Sequence, residues 1–318
     1  MGLDFKAPCK FTLSANEIRQ YSECARKRYY ASRDCLAIRS CSISKSLEIG
    51  KAVHMAFQHV YTTVGKAIEE TPELLNADGN IMDLVDLQSL NILNSLSENK
   101  EGAPQLTEGD QQVLRAIMLG YRETFIEDLI EFEIVSCEHS FHMDNWPIGD
   151  VMYHGDIDMI AKSRTDGKYY FFEHKTCTNF RPDIYDRFDI QLHIYDAWGH
   201  QEYGDLFGGM ILNQVKKAKT SRGYDQERKV YVYDERERES FFIWLVKKTE
   251  ALVSPGNIHE PCNTYMTCKM CDFKEICLKF GYNIPERDQI LNDSSFEDET
   301  GNPLFKYDPR ASQEEEEA

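Results

Sequence analysis

The sequence has no excess of positive charge: 36 Lys and Arg stand against 54 Asp and Glu, a formal net charge of −18 over 318 residues. That balance excludes a simple basic nucleic-acid-binding domain, so an anionic ligand must meet a local patch or a bound metal ion. Cysteine is sparse as well: ten in 318 residues is far below the density of a secreted disulfide scaffold. No uncharged stretch reaches the roughly 20 apolar residues of a membrane-spanning helix. The opening Met1–Lys10 lacks the apolar segment of a secretion signal, and Lys6 breaks the myristoylation pattern. The expectation is a protein of the cytoplasm or another reducing compartment, neither secreted nor in a membrane. There, grouped cysteines mean metal more often than disulfide.

Hydrophobic residues make up 42% of the chain and charged residues 28%, enough apolar content for a sizeable core. Ser14-Ala15-Asn16-Glu17 reads as a capping box opening a helix that runs to about Ser32. Helical periodicity returns near 46–64, 82–98 and 106–131. The pattern then turns to strands at 132–142, 151–162 and 168–176, a helix at 189–199, strands at 206–215 and 229–233, and a helix at 235–252. This order predicts one α/β domain over 1–290, with a helical part at about 14–131, a sheet core at about 132–253 and a cysteine-rich end at about 262–280. Residues 291–318 are expected to be a disordered tail, since from Asp293 onward nine acids face two bases.

The chemistry concentrates in one hairpin. Tyr153-His154-Gly155-Asp156-Ile157-Asp158-Met159-Ile160 alternates polar and apolar residues, and Lys168-Tyr169-Tyr170-Phe171-Phe172-Glu173-His174-Lys175 follows across an Asp166-Gly167 turn. Asp156 and Asp158 share one strand face, as do Glu173 and Lys175. Folding at the turn brings Asp158 toward Glu173 with Lys175 beside them. Two converging carboxylates repel unless a divalent cation neutralises them, and hard oxygen ligands suit magnesium or manganese. Such an ion polarises a phosphodiester and acidifies water, while a neighbouring ammonium stabilises developing charge. A solvated face with an ordinary Glu-x-Lys pair accounts for the same spacing.

Taken with its neighbours, the hairpin is more distinctive. Gly155-x-x-Asp158 followed by Glu173-x-Lys175 resembles the core of the PD-(D/E)XK nuclease superfamily, and Gln191-Leu192-His193-Ile194-Tyr195 resembles the Gln-x-x-x-Tyr motif of its RecB-like branch. Ile49-Gly50-Lys51-Ala52-Val53-His54 resembles that branch's Gly-x-x-x-His helix. The resemblance implies a restriction-endonuclease-like mixed sheet flanked by helices. It also implies Mg²⁺ or Mn²⁺ held by His54, Asp158, Glu173 and the His174 backbone carbonyl. Lys175 would position water, and Gln191 and Tyr195 would orient the strand; Asp156 is the rival to Asp158 as ligand.

Cys268-x-x-Cys271 with Cys277 supplies three thiolates within ten positions, and a metal or cluster needs a fourth ligand. Cys262 and Cys24 are both candidates, and spacing does not separate zinc from an iron–sulfur cluster. Cys24 precedes Arg26-Lys27-Arg28-Tyr29-Tyr30, a run that resembles the opening of the iron–sulfur members of the same branch. That resemblance implies a 4Fe-4S cluster on Cys24, Cys268, Cys271 and Cys277, joining the two ends of the domain, with Zn²⁺ as the alternative occupant. Closing a loop of that length contributes roughly 5 kcal/mol. The remaining cysteines show no comparable spacing.

For DNA, the basic stretches are Lys216, Lys217, Lys219 and Arg222 ahead of Tyr224, and Arg26 and Arg28 ahead of Tyr29 and Tyr30. They could track phosphates while tyrosines stack on unpaired bases, or simply be solvated. By resemblance the expected activity is a metal-dependent exonuclease on single-stranded DNA, in recombination, repair, replication or CRISPR adaptation, with a helicase or recombination partner. A structure-specific endonuclease and a non-catalytic iron–sulfur binding module are the rival readings.

Overall fold

The computed structural model describes residues 11–308 apart from 33–34, 42–44, 77–79, 98–103, 218–224, 255–260, 263 and 299. In chain order its strands are β1 (Phe11–Leu13), β2 (Ile38–Ser40), β3 (Phe132–Asp144), β4 (Val151–Ser163), β5 (Tyr169–Cys177), β6 (Phe207–Lys216), β7 (Gln226–Tyr231) and β8 (Phe305–Tyr307). The helices are α1 (Ala15–Glu23), α2 (Ala25–Ala31), α3 (Lys45–Glu70), α4 (Asn80–Ser97), α5 (Glu108–Gly120), α6 (Arg122–Glu131), α7 (Asp183–Arg187), α8 (Ile190–Tyr203), α9 (Glu235–Val253), α10 (Tyr265–Lys269), α11 (Lys274–Phe280) and α12 (Arg287–Leu291). No helix among the described residues is long and apolar enough to cross a membrane.

The chain divides into two compact units. One comprises Met1–Ile43, His142–His154 and Glu239–Ala318; the other comprises Ser44–Phe141 and Gly155–Arg238.

In the second unit a mixed sheet supports the helices. β4 pairs antiparallel with β5, β5 parallel with β6, and β6 antiparallel with β7, while β3 also pairs with β4. This α/β arrangement, a central mixed sheet flanked by helices, agrees with the expected fold class. Every residue of β6 from Phe207 to Val215 is buried, as a central strand covered on both faces requires. The hairpin turn forms at the Asp-Gly step: Gly167 takes φ 71°, and Asp166 accepts hydrogen bonds from the Lys168 amide and the Tyr170 hydroxyl. The core packs Phe57, Val60, Tyr61 and Val64 of α3 with Tyr121, Phe125 and Leu129 and with Phe172 of β5. Tyr121 also explains why the helix expected over 106–131 is two helices. Its ring lies 4.3 Å from Phe57 and 4.8 Å from Phe125 between ring centroids, so tertiary packing places the break.

In the first unit β1 runs parallel to Val151–Tyr153, and β2 pairs antiparallel with β8. Ser14 and Glu17 exchange the two hydrogen bonds of a capping box, but the helix they open stops at Glu23. Cys24 has extended backbone, φ −166° and ψ 114°, and a second helix restarts after it. The expectation of a disordered tail from 291 is corrected. α12 begins at Arg287, β8 lies at Phe305–Tyr307, and Phe296 and Phe305 are buried with Tyr30, Leu36, Ile38, Phe273 and Ile276. Those apolar side chains within an acidic segment give it a core to join; residues 309–318 lie outside the described residues.

Candidate active site

The β4–β5 register places Met159 opposite Phe172 and Ile160 opposite Phe171, a ladder whose next step sets Asp158 across from Glu173. Opposite residues of an antiparallel pair share a face. Asp158 Oδ2 accepts the His174 amide at 2.5 Å, and Asp158 Oδ1 lies 3.2 Å from His54 Nδ1 on α3. Lys175 Nζ lies 3.2 Å from Glu173 Oε1 and donates to Gln191 Oε1 at 2.8 Å. Gln191 Nε2 in turn donates to the Tyr195 hydroxyl at 2.7 Å, which donates to the Asp156 carbonyl at 2.5 Å. One polar chain therefore ties the ammonium to helix α8 and back to strand β4.

Glycine permits a close approach where these elements meet. A Cβ on Gly155 would stand 3.0 Å from ring carbons of both Phe141 and Tyr195, and one on Gly50 would stand 3.2 Å from Thr176 Oγ1. The glycines of both motifs thus allow close approach of the elements that carry Asp158 and His54.

The electrostatics of the group are those of carboxylates held too close. Glu173 is 4% exposed, and its Oε2 finds no hydrogen-bond partner among the described residues. Burial, then the Asp158 charge, pushes its carboxyl up to about 7 against the pull of Lys175 and His54. Burial disfavours charge on His54, but the Asp158 carboxylate outweighs it, helped by Glu173 and Glu138, and holds the imidazole up at about 9. Burial opposes the Asp158 charge too, yet His54 and the hydrogen bonds it accepts hold its carboxyl below the usual carboxylate range. One carboxylate oxygen without a donor, beside hard oxygen and imidazole ligands, fits magnesium or manganese.

The structure also gathers a residue that the sequence did not single out. One ligand atom each from His54, Glu138 and Asp158 lies within 4.8 Å of the others. Glu173 is outside that group and faces Lys175. Glu138 belongs to no motif; only the alternation of buried residues in β3 could have pointed to it.

Other expected site residues stand elsewhere. His174 turns its side chain into the core, where Asn213 Nδ2 is 3.2 Å from Nδ1 and burial pushes the imidazole down to about 3. Asn213 accepts from Arg228 Nε at 2.7 Å, and Arg228 forms two bonds to buried Asp128, at 2.6 and 2.8 Å. Asp156 accepts from Ser140 Oγ at 2.6 Å and is not in the ligand group. Tyr195 is buried, so its role is corrected from orienting the strand to holding β4 and Gln191.

The DNA-binding assignment of Arg26 and Arg28 is also corrected. Both are 2% exposed: Arg26 donates to the Gly281 and Tyr282 carbonyls, and Arg28 reaches Glu17 at 3.5 Å. Neither can track a phosphate. Lys216 lies 3.3 Å from Asp225 and 4.4 Å above the Phe180 ring; Lys217 is half-buried, and Lys219 and Arg222 lie outside the described residues.

The four chosen cysteines do not meet as a metal-ligand group among the described residues, where all the described cysteines are free thiols. Backbone of Cys262 stands among them: its amide donates to Cys24 Sγ at 3.2 Å, and its carbonyl accepts from Cys268 Sγ at 3.3 Å. Cys277 instead lies 4.0 Å from the Tyr30 hydroxyl. The tight tetrahedron that zinc takes is therefore absent from this set.

Comparison with known proteins gives the site its context. No curated protein matches the sequence. A solved structure described as "Crystal structure of SSO0001" resembles the chain at 13% identity, over 86% of this chain and 88% of that one, with a TM-score of 0.33, a likeness too distant to carry an argument. A family model for the PD-(D/E)XK nuclease superfamily, by contrast, matches residues 12–278, a span that holds His54, Asp158, Glu173 and Lys175. The chain belongs to the PD-(D/E)XK nuclease superfamily.

Proposed function

We propose that the protein is a metal-dependent DNA exonuclease that hydrolyses phosphodiester bonds in single-stranded DNA. The observation that carries the reading is the buried carboxylate of Glu173, with one oxygen lacking a donor, facing Asp158 and paired with Lys175. Two carboxylates held on one face with a single ammonium beside them form a set that a divalent cation would neutralise.

His54, Asp158, Glu173 and the His174 backbone carbonyl would hold Mg²⁺ or Mn²⁺, which when bound polarises the scissile phosphate and acidifies water. The chain's own contribution is placement. Lys175 presents an ammonium beside Glu173, where it orients the attacking water and offsets charge developing on the phosphate. Gln191 fixes the direction of that ammonium, and Tyr195 anchors Gln191 to the backbone of β4. Asp158 is oriented by the His174 amide.

The test is hydrolysis of end-labelled and circular single-stranded DNA in Mn²⁺ by the full-length protein and by Glu173→Ala and Lys175→Ala. The reading requires products from the ends only and loss of on the order of 100-fold or more in both variants. Cleavage of circles makes the enzyme an endonuclease, and full activity in either variant removes the assigned roles. Recombination, repair, replication and CRISPR adaptation, with a helicase or recombination partner, are the settings such an activity serves.

The 4Fe-4S cluster on Cys24, Cys268, Cys271 and Cys277 belongs to the same proposal. Its support is that Cys24 and Cys268 both contact Cys262, while Cys271 and Cys277 lie within the electrostatic reach of Cys24. Anaerobic purification should give a brown protein whose iron is lost on Cys271→Ser; a colourless protein containing zinc would reject the cluster.

A further inference from the structure

Strand β3 changes phase halfway along. Phe132 and Ile134 are buried in its first part and Phe141 and Met143 in its second, so the inward-facing positions pass from even to odd numbers. Between them Glu138 has its backbone in the left-handed region, φ 49°. Side-chain-bearing residues seldom adopt that conformation, and within a strand it marks a bulge that re-aims a side chain.

The re-aimed side chain is a carboxylate that joins His54 and Asp158. Among the described residues no other group of three His, Cys, Asp or Glu meets within 4.8 Å. Glu138 is exposed, and its carboxylate meets the less exposed His54 and Asp158 rather than standing apart in solvent. An independent observation points the same way: Glu173, 4% exposed, keeps one buried oxygen without a partner on the face it shares with Asp158. Two acids meet one imidazole, and a third, Glu173, stands on the face it shares with Asp158. A cation is the group that such a set is short of.

We propose that Glu138 is a ligand of the divalent cation, binding the same ion as His54 and Asp158. The inference rests on the nuclease reading above and adds to it a third acidic ligand, delivered by the strand before the motif-bearing hairpin. It also assigns a purpose to the left-handed residue in β3: the bulge turns the carboxylate toward α3 and β4.

The experiment uses Mn²⁺ alone, titrated into the full-length protein and followed by paramagnetic resonance of the free ion. Wild type is compared with Glu138→Gln, Asp158→Asn and, as a control on the same strand, the exposed Glu133→Gln. Glu138→Gln should weaken Mn²⁺ by about 10-fold or more, in the range seen when metal-site residues are altered, and Glu133→Gln should leave affinity unchanged. Thermal melts supply a second readout. In EDTA Glu138→Gln should melt at or above wild type, because a repelling charge is gone, while its stabilisation by Mn²⁺ shrinks. If Asp158→Asn abolishes binding and Glu138→Gln binds as wild type does, Glu138 is not a ligand and the nuclease reading survives. If wild type binds no Mn²⁺, both fall. A lower melting temperature in EDTA with an undiminished Mn²⁺ shift would mark Glu138 as structural and overturn the inference.

Discussion

Lys175 Nζ and Gln191 Oε1 lie 2.8 Å apart, which makes a helix residue the partner that aims the ammonium of the Glu-x-Lys strand. Without Gln191 the ammonium keeps its charge and its Glu173 neighbour but loses its direction. Gln191→Ala should lower kcat by about 10- to 100-fold, the scale of misplacing a catalytic group, while Mn²⁺ affinity stays within about twofold. Single-turnover kinetics beside a Mn²⁺ titration separate the two; equal losses in both would make Gln191 a metal-site residue instead.

A second prediction concerns the buried chain behind His174. Asp128 is fully buried, receives two bonds from Arg228 and one from the Tyr61 hydroxyl, and has no solvent to replace them. Asp128→Ala leaves a guanidinium without its counter-charge. Removing one member of a buried pair costs about 3–5 kcal/mol, a fall in melting temperature of about 5–8 °C for a chain of this size. A melt within 2 °C of wild type, on the order of 1 kcal/mol or less, would contradict it.

The pH prediction rests on Asp196. Burial holds its carboxyl up at about 7, above the ordinary value of 3.8, with Arg238 opposing and Glu237 adding, and one of its oxygens has no donor among the described residues. Between pH 4 and 7 the folded state therefore keeps a proton that the unfolded state releases, and stability from this group falls as pH rises. The penalty is complete above pH 7. Asp196→Asn should gain on the order of 2–3 kcal/mol relative to wild type at pH 8 and much less at pH 4. Urea unfolding at the two pH values checks this, and a gap that does not change with pH would refute it.

Gly155 offers the fourth. A methyl group there meets the Phe141 and Tyr195 rings at 3.0 Å, so Gly155→Ala must displace the ring whose hydroxyl holds Gln191. The expected result is a loss of about 1–3 kcal/mol in stability with a disproportionate fall in nuclease rate. Partial rescue by Tyr195→Leu in stability but not in rate would locate the clash.

The hairpin was legible because its information is local. Alternation set the strand faces, and Asp166-Gly167 set the turn that the structure forms with Gly167 at φ 71°. His54, by contrast, was tied to Asp158 only through a motif resemblance, since nothing in spacing joins α3 to β4. Arg26 read as part of a basic patch because its partners are remote: the Gly281 and Tyr282 carbonyls lie more than 250 positions away in sequence. The break at Tyr121 follows Gly120, a helix-stop signal that the continuous periodicity over 106–131 masked, and rings from α3 and α6 pack on it. Phe296 and Phe305 were visible as apolar exceptions, yet the acidic average of the segment outweighed them. In β3 the clue was present and unused, for Phe132 and Ile134 cannot share one face with Phe141 and Met143.

The β2–β8 pair joins Ile38–Ser40 to Phe305–Tyr307, and it constrains the timing of biosynthesis. Emerging from a ribosome, residues 44–141 and 155–238 can collapse as soon as they are translated, whereas the other unit must wait for Phe296 and Phe305, more than 250 positions after Ile38. Until those residues are made, Leu36 and Ile38 are left without Phe296 and Phe305 to cover them. A nascent chain stalled near residue 285 would be a client for chaperones, and a premature stop there would cost the cell more than a lost tail.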